Sequence, residues 1–176
     1  INEQDFLDRV DILGTVGGEL SENYHVMVSN YAEYYRLAAY LLRYTEEPIG
    51  VAMGVPTLKE LFEEKYYAEL DGGILESFGR MFKNDLRLYV YPAVGPGGNI
   101  VNARNLKVAD HLQGLFEYLL GNGFIRRIED YREDYLSIFS RDALEKIRSG
   151  DDNWKTMVPE GVMELIKERD LFGHKA

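Results

Sequence analysis

The chain has 176 residues, with 20 Lys plus Arg against 30 Asp plus Glu, a net charge of −10, three His and no Cys. That length suits one domain with a real core, and 45% hydrophobic with 28% charged residues is ordinary globular usage that argues against disorder. The lack of Cys excludes disulfides, thiolate zinc, Fe–S ligation and a cysteine nucleophile, and the acidic excess repels phosphate backbones, which argues against nucleic acid as a partner.

No apolar run nears the roughly 18 residues of a spanning helix. The amino end, INEQDFLDRV, is acidic and lacks the basic and apolar regions of a secretory signal. No membrane partner and a cytoplasmic protein are therefore expected. A start at Ile rather than Met leaves room for a preceding segment.

Residues 1–22 read as an N-terminal arm or short amphipathic helix through Phe6, Leu7, Val10, Ile12 and Leu13, ended by Gly14, Gly17 and Gly18. Residues 23–176 read as a single α/β domain. His25–Ser29, the run HVMVS, has the valine content of a buried strand. Ser29 and Asn30 offer N-cap oxygens to a helix from Tyr31 to Tyr44 with a stripe at Tyr34, Ala38, Leu41 and Leu42. Ile49–Val55 is the second expected strand. Pro56 opens a helix in which Thr57 and Glu60 have capping-box spacing. Gly72 and Gly73 precede a stripe at Ile74, Leu75, Phe78, Met81 and Phe82, and Leu86–Pro92 is the third strand.

GPGGN, Gly95–Asn99, is a turn by composition; with no lysine and no following helix it reads as a hairpin or connecting loop rather than an anion cradle. A helix from Asp110 and Gln113 stops at Gly121–Gly123. Phe124–Ile128 is a fourth strand. Ser140 is placed to cap a helix over Arg141–Arg148 with Gly150 beyond it, and Pro159 opens the last helix. Strands alternating with helices predict α/β architecture: a three-layer Rossmann-like domain with a mainly parallel sheet. Ligands in such sheets sit beyond the carboxyl ends of the strands, here Ser29–Tyr31, Gly54–Thr57 and Tyr91–Gly98.

No G-x-G-x-x-G, Walker A, H-E-x-x-H or G-x-S-x-G motif occurs. His25, His111 and His174 stand apart, and a structural or solvated role is expected for each. Arg36 and Arg43 share one helix and need partners, with Glu33 and Glu47 in reach. Thirteen tyrosines, five of them at Tyr31, Tyr34, Tyr35, Tyr40 and Tyr44, fit a protein–protein surface, helix-on-sheet packing or a stacked ligand.

The stretch IFSRDALEKIRSGDDNWKTMVPEGVMELIKERDLF, Ile138–Phe172, resembles the C-terminal signature of the nicotinate/nicotinamide mononucleotide adenylyltransferases. In that family a Ser/Thr and an Arg contact ATP phosphates at a helix start. Ser140 matches the hydroxyl, and Ile147, Arg148, Ser149, Gly150, Trp154, Val158 and Pro159 match the scaffold. The family's phosphate-binding Arg falls near Leu144 or Glu145 and is not kept. Its H-x-G-H motif falls on Tyr35, Leu37 and Ala38, so both histidines are absent, and with them the main stabilisation of transferring charge. The whole chain also resembles a group of uncharacterised bacterial proteins that share wording near VSNYAEYYRLAAYLLRYT and GGILESFGRMFKNDLRLYVYP. Labels in that group include nicotinamide-nucleotide adenylyltransferase and TonB-dependent receptor; the second implies an outer-membrane barrel, for which this sequence has too few alternating strands.

The resemblance implies a nucleotidylyltransferase-like fold without the classical catalytic residues, and ATP, a pyridine nucleotide or another small anion as ligand. The expected contacts are Asn30, Tyr31, Arg36, Ser140 and Arg141, with no metal. A second expectation is a non-catalytic assembly module, a homo-oligomer with a tyrosine-rich interface around Tyr66, Tyr67, Leu70 and Ile74. A third is adenylyl transfer to a mononucleotide by unfamiliar residues, with His25, Tyr31 and Arg141 the candidates.

Overall fold

Alternate burial along short valine- and leucine-bearing strands organises the larger part of the chain. The computed structural model describes residues 3–174 and divides into two compact units, one of residues 1–28 with 137–176 and one of residues 29–136. The expected 1–22 segment lies within the first unit, with Ile1 and Asn2 outside the described residues, and the expected 23–176 stretch runs across both.

In the unit of residues 29–136, β1 (Gly50–Gly54), β2 (Arg87–Tyr91) and β5 (Ile125–Arg127) form a parallel sheet in the order β1-β2-β5. The register sets Val51 beside Leu88 and Leu88 beside Ile125, with Met53 beside Val90 in the next row. Side chains alternate across a strand, so these five point to one face. There they join Leu58 and Leu61 of α3 (Val55–Leu61), Ile74, Phe78 and Met81 of α4 (Gly73–Met81), and Phe116 and Leu119 of α5 (Gln113–Gly121) in one core. Strands added in one direction through right-handed crossovers keep their helices on one side. Accordingly the other face, with Gly50, Ala52, Tyr89 and Arg126, is exposed. The α/β alternation is as expected, and within this unit the helices line a single face. β3 (Ala93–Val94) and β4 (Ile100–Val101) form an antiparallel hairpin closed by the Gly95–Asn99 turn.

The expected first strand is absent. Residues 21–33 have no regular structure, and Val26, Met27 and Val28 are exposed. A valine run supplies β propensity, but a strand needs a paired edge and buried faces, and this run has neither. The helix expected from Tyr31 begins at Tyr34, as α2 (Tyr34–Leu41). Ser29 and Asn30 do not cap it: Glu33 is the N-cap, and the Ser29 hydroxyl accepts from the Tyr31 amide at 3.0 Å. Nor do Thr57 and Glu60 form a capping box, because α3 starts two residues earlier, at Val55, with Gly54 as N-cap and Pro56 in its first turn.

The other unit is helical: α1 (Glu3–Leu20), α6 (Ser140–Ser149) and α7 (Glu160–Arg169). Its core is Ile147, Trp154, Val162, Ile166 and Leu171, against which Ile12 and Val16 of α1 pack. The glycines expected to stop α1 lie inside it. The Tyr24 ring lies where a Cβ on Gly17 would stand, 1.8 Å away, so Gly17 serves close approach rather than helix breaking. Ser140 is the first residue of α6 and not its cap, a place taken by Phe139, whereas Gly150 ends the helix as expected at φ 74°. No helix among the described residues is long and apolar enough to cross a membrane.

Trp154 is 1% exposed and centres the helical unit. Trp154→Ala is expected to destabilise that unit by about 3–5 kcal/mol, read as an earlier denaturant midpoint at constant slope; a loss below about 1 kcal/mol would show that the core closes without it.

Candidate ligand-binding site

Three tyrosines and four cations line a cavity of the unit of residues 29–136. The turn at Ser29 directs Tyr31 back over α2, where its ring lies 5.6 Å from that of Tyr40, itself 5.1 Å from Tyr44. Tyr35, one turn before Tyr40 and 5% exposed, forms the base. Two guanidinium groups flank its ring, Arg36 at 5.8 Å and Arg80 of α4 at 6.0 Å from the centroid, the distance at which cation–π attraction operates. The Arg36 Nε donates to the Tyr35 hydroxyl at 3.1 Å and pairs with Glu33 at 3.3 Å; Arg80 pairs with Glu76 one turn back. Beyond α4 the chain turns through Asn84 and Asp85, at φ 49° and 60°, a conformation those short polar side chains tolerate. The resulting cavity is about 450 Å³, with Arg43, Lys83 and Asn84 also on its wall.

Electrostatics set its character. No carboxylate lines the cavity, and Arg43 and Lys83 have no ion-pair partner among the described residues. Two of the four cations are thus balanced by Glu33 and Glu76, and two are not. The hydrogen bond that Arg36 donates to Tyr35 and the charge of Glu33 hold its guanidinium above its ordinary pKa, so it stays charged. The Tyr40 phenol is raised, chiefly by its hydrogen bond with Tyr44, and is neutral near pH 7. Below Tyr35, Tyr67 donates its hydroxyl to the Leu61 carbonyl at 2.8 Å, and burial pushes its phenol up to about 12.

Tyr31 and Arg36, both expected as contacts, meet in this cavity, and Asn30 precedes them, exposed, in the irregular segment. Ser140 and Arg141 belong to the other unit, exposed on the first turn of α6. Arg43, Arg80 and Lys83 were not singled out as ligand contacts. A partial signal was present: Arg36 and Arg43 lie seven apart in the run expected as one helix, though α2 ends at Leu41, and Arg80 stands in the last turn of α4 with Lys83 just beyond it. What linear order does not show is that α2 lies against α4.

The location differs from the carboxyl-edge expectation. Leu42 and Arg43 lead towards the amino end of β1, and Lys83 and Asn84 feed the amino end of β2. At the carboxyl ends, Gly54 passes straight into α3, and Tyr91 passes into the β3–β4 hairpin. Because residues 25–29 are not a strand, Ser29–Tyr31 marks no carboxyl edge. The histidines are elsewhere: His25 is exposed in the irregular segment, His111 bonds Glu64 at 2.7 Å, and His174 lies 3.6 Å from Asp170 and against Trp154. No cluster of His and acidic residues among the described residues has the geometry of a metal site. Compared with family models, with curated proteins and with solved structures, the chain matches none.

Tyr67 supports the cavity floor and gives it a pH signature. The usual phenol pKa is about 10, and the folded value of about 12 is higher. Its stabilising contribution is therefore complete below pH 10 and lost as pH rises from 10 through 12, on the order of 2 kcal/mol in all. Tyr67→Phe removes that dependence, so unfolding free energy between pH 9 and 12 should fall more steeply for the native chain than for the variant. Parallel curves would place the phenol in water.

Proposed function

We propose that the unit of residues 29–136 binds a phosphate-bearing aromatic ligand, a nucleotide, between the Tyr31 and Tyr40 rings and the cations Arg36, Arg43, Arg80 and Lys83. One observation carries this: in a chain of net charge −10, four cations and three tyrosines share a cavity that no carboxylate lines. Phosphate oxygens accept charge-assisted hydrogen bonds from guanidinium and ammonium groups, and a base stacks on phenol rings. The volume, about 450 Å³, lies in the usual range for small-molecule sites.

A nucleotidylyltransferase-like ancestry is part of the same proposal. Supporting it are the parallel β-α-β order and the resemblance of Ile138–Phe172 to the adenylyltransferase signature. Tyr35 and Ala38, which occupy that family's histidine positions, are buried in α2, and no histidine lines the cavity. The ligand is bound here without turnover, since nothing in the wall is placed to take or give a proton near pH 7. ATP and pyridine nucleotides are the first ligands to try.

Assembly is a second reading favoured by one observation, the uncovered sheet face bearing Ala52, Tyr89 and Arg126. Parallel sheets are nearly always covered on both faces. The tyrosine-rich patch expected around Tyr66 and Leu70 is reduced, because Tyr67 and Ile74 are in the core at 3% and 6% exposure. Light scattering at high concentration separates a homo-oligomer from a monomer.

Isothermal titration with ATP, AMP, inorganic phosphate and uncharged adenosine tests the nucleotide site. Affinity should rank ATP above AMP and both above phosphate or adenosine, and weaken as salt is raised. Arg43→Ala and Lys83→Ala should each cost about tenfold or more, as expected for a charged hydrogen bond. No heat with ATP at millimolar concentration would sink the proposal, and adenylyl transfer abolished by Arg141→Ala would replace it with an enzyme.

A further inference from the structure

The carboxylates around the cavity between α2 and α4 are engaged away from its interior. Glu33 pairs with Arg36 at 3.3 Å, and Glu76 pairs with Arg80. Asp85, which follows Asn84 in the turn after α4, pairs with Arg87 of β2. None of the three lines the cavity, and Glu46 and Glu47, next along the chain from Arg43, stay off its wall. The uncharged polar groups of the wall are phenols and the Asn84 amide. Arg43 and Lys83 line it with no ion-pair partner among the described residues.

This inventory decides the form in which a phosphate chain can enter. Mg²⁺ held with a nucleotide needs oxygen ligands from the phosphates, from water and usually from one or two protein carboxylates. The wall has no carboxylate to give, and no cluster of His and acidic residues among the described residues has metal-site geometry. Chelation also cancels part of the negative charge of the phosphates and occupies oxygens to which Arg43 and Lys83 would donate. The ion itself would be brought among four cations, where like charges repel. We propose, resting on the nucleotide reading of this cavity, that it selects the metal-free polyphosphate, and that Mg²⁺ competes with the protein for the ligand. Arg43 and Lys83 take the place of the ion as counter-charge to the phosphates. Selectivity then follows chelation: monophosphates, which hold Mg²⁺ weakly, keep their affinity in its presence, and triphosphates, which hold it strongly, lose theirs.

Isothermal titration of the full chain with ATP and with AMP tests this, each run once in EDTA and once in a slight molar excess of magnesium chloride at matched ionic strength. ATP should bind at least about tenfold more weakly with Mg²⁺ than with EDTA, the loss expected when a charge-assisted hydrogen bond is given up, while AMP keeps its affinity. Asn84→Asp places a carboxylate on the wall in a residue of the same shape, which tolerates the same φ of 49°. It should weaken ATP in EDTA more than ATP with Mg²⁺, and so narrow the difference between them. ATP bound equally or more tightly with Mg²⁺, an equal loss for AMP, or a Mg²⁺ effect unchanged by Asn84→Asp would overturn the proposal and leave the nucleotide site standing. No heat with ATP in EDTA would overturn both. Circular dichroism checks the variant; should Asn84→Asp fail to fold, the comparison of ATP with AMP in the native chain still decides.

Discussion

The rest of the larger unit depends on a single constraint, the in-register parallel pairing of β2 between β1 and β5. It fixes Val51, Leu88 and Ile125 in one row and Met53 and Val90 in the next, all on one face. A slip by one residue would turn Tyr89 and Arg126 into the core and Leu88 and Ile125 out of it. Everything that shapes the cavity between α2 and α4 hangs from that register. β2 begins where it does because Leu86 and Leu88 are buried, and this anchors the Lys83–Asp85 turn and, before it, Arg80 at the end of α4. α2 then lies against α4, so the cations of two helices converge.

Aromatic packing transmits the same order to the cavity floor. Phe116 meets Phe62 edge to face at 5.1 Å, Phe62 meets Phe78 at 5.1 Å, Phe78 meets Tyr67 at 6.2 Å, and Tyr67 meets Tyr35 at 6.3 Å. Such contacts favour particular ring orientations beyond the area they bury. Tyr35 is thereby held with its hydroxyl towards the Arg36 Nε, its face towards Arg80, and Tyr67 below it. An acidic chain overall can carry a local basic site in this way, because charge acts over roughly a Debye length, about 8 Å at physiological salt, rather than over the whole surface.

Two cavities of different character occur in the molecule. One, between α2 and α4, presents unbalanced cations and phenol rings; the other, among α1, α6 and α7, presents hydrocarbon and one guanidinium. Ser140 belongs to the second. It was expected to cap α6 and instead opens its first turn, with Leu144, Ile147, Val158 and Arg9 on the same cavity wall. Spacing along the chain fixes a helix face and not what that face meets.

Much of the architecture was legible in the linear chain. Short apolar runs marked β1, β2 and β5, the 3.6-residue stripe marked α4, and Gly150 and Pro159 marked the boundaries of α6 and α7, since each of these signals acts within a few residues. The strand expected at His25–Ser29 failed for the converse reason: valine favours extended backbone, but only a neighbouring edge makes a strand. Gly17 failed likewise, as its partner Tyr24 decides whether a glycine breaks a helix or admits a ring. Tyr31 and Arg36 were expected as contacts from the resemblance, whereas Arg80 and Lys83, more than forty positions on, carried no such mark. Local chemistry along the backbone is enough to choose helix, strand and turn; which side chains share a cavity is decided only when α2 and α4 come together, because that contact is paid for by burial across the whole core and is written in no single segment.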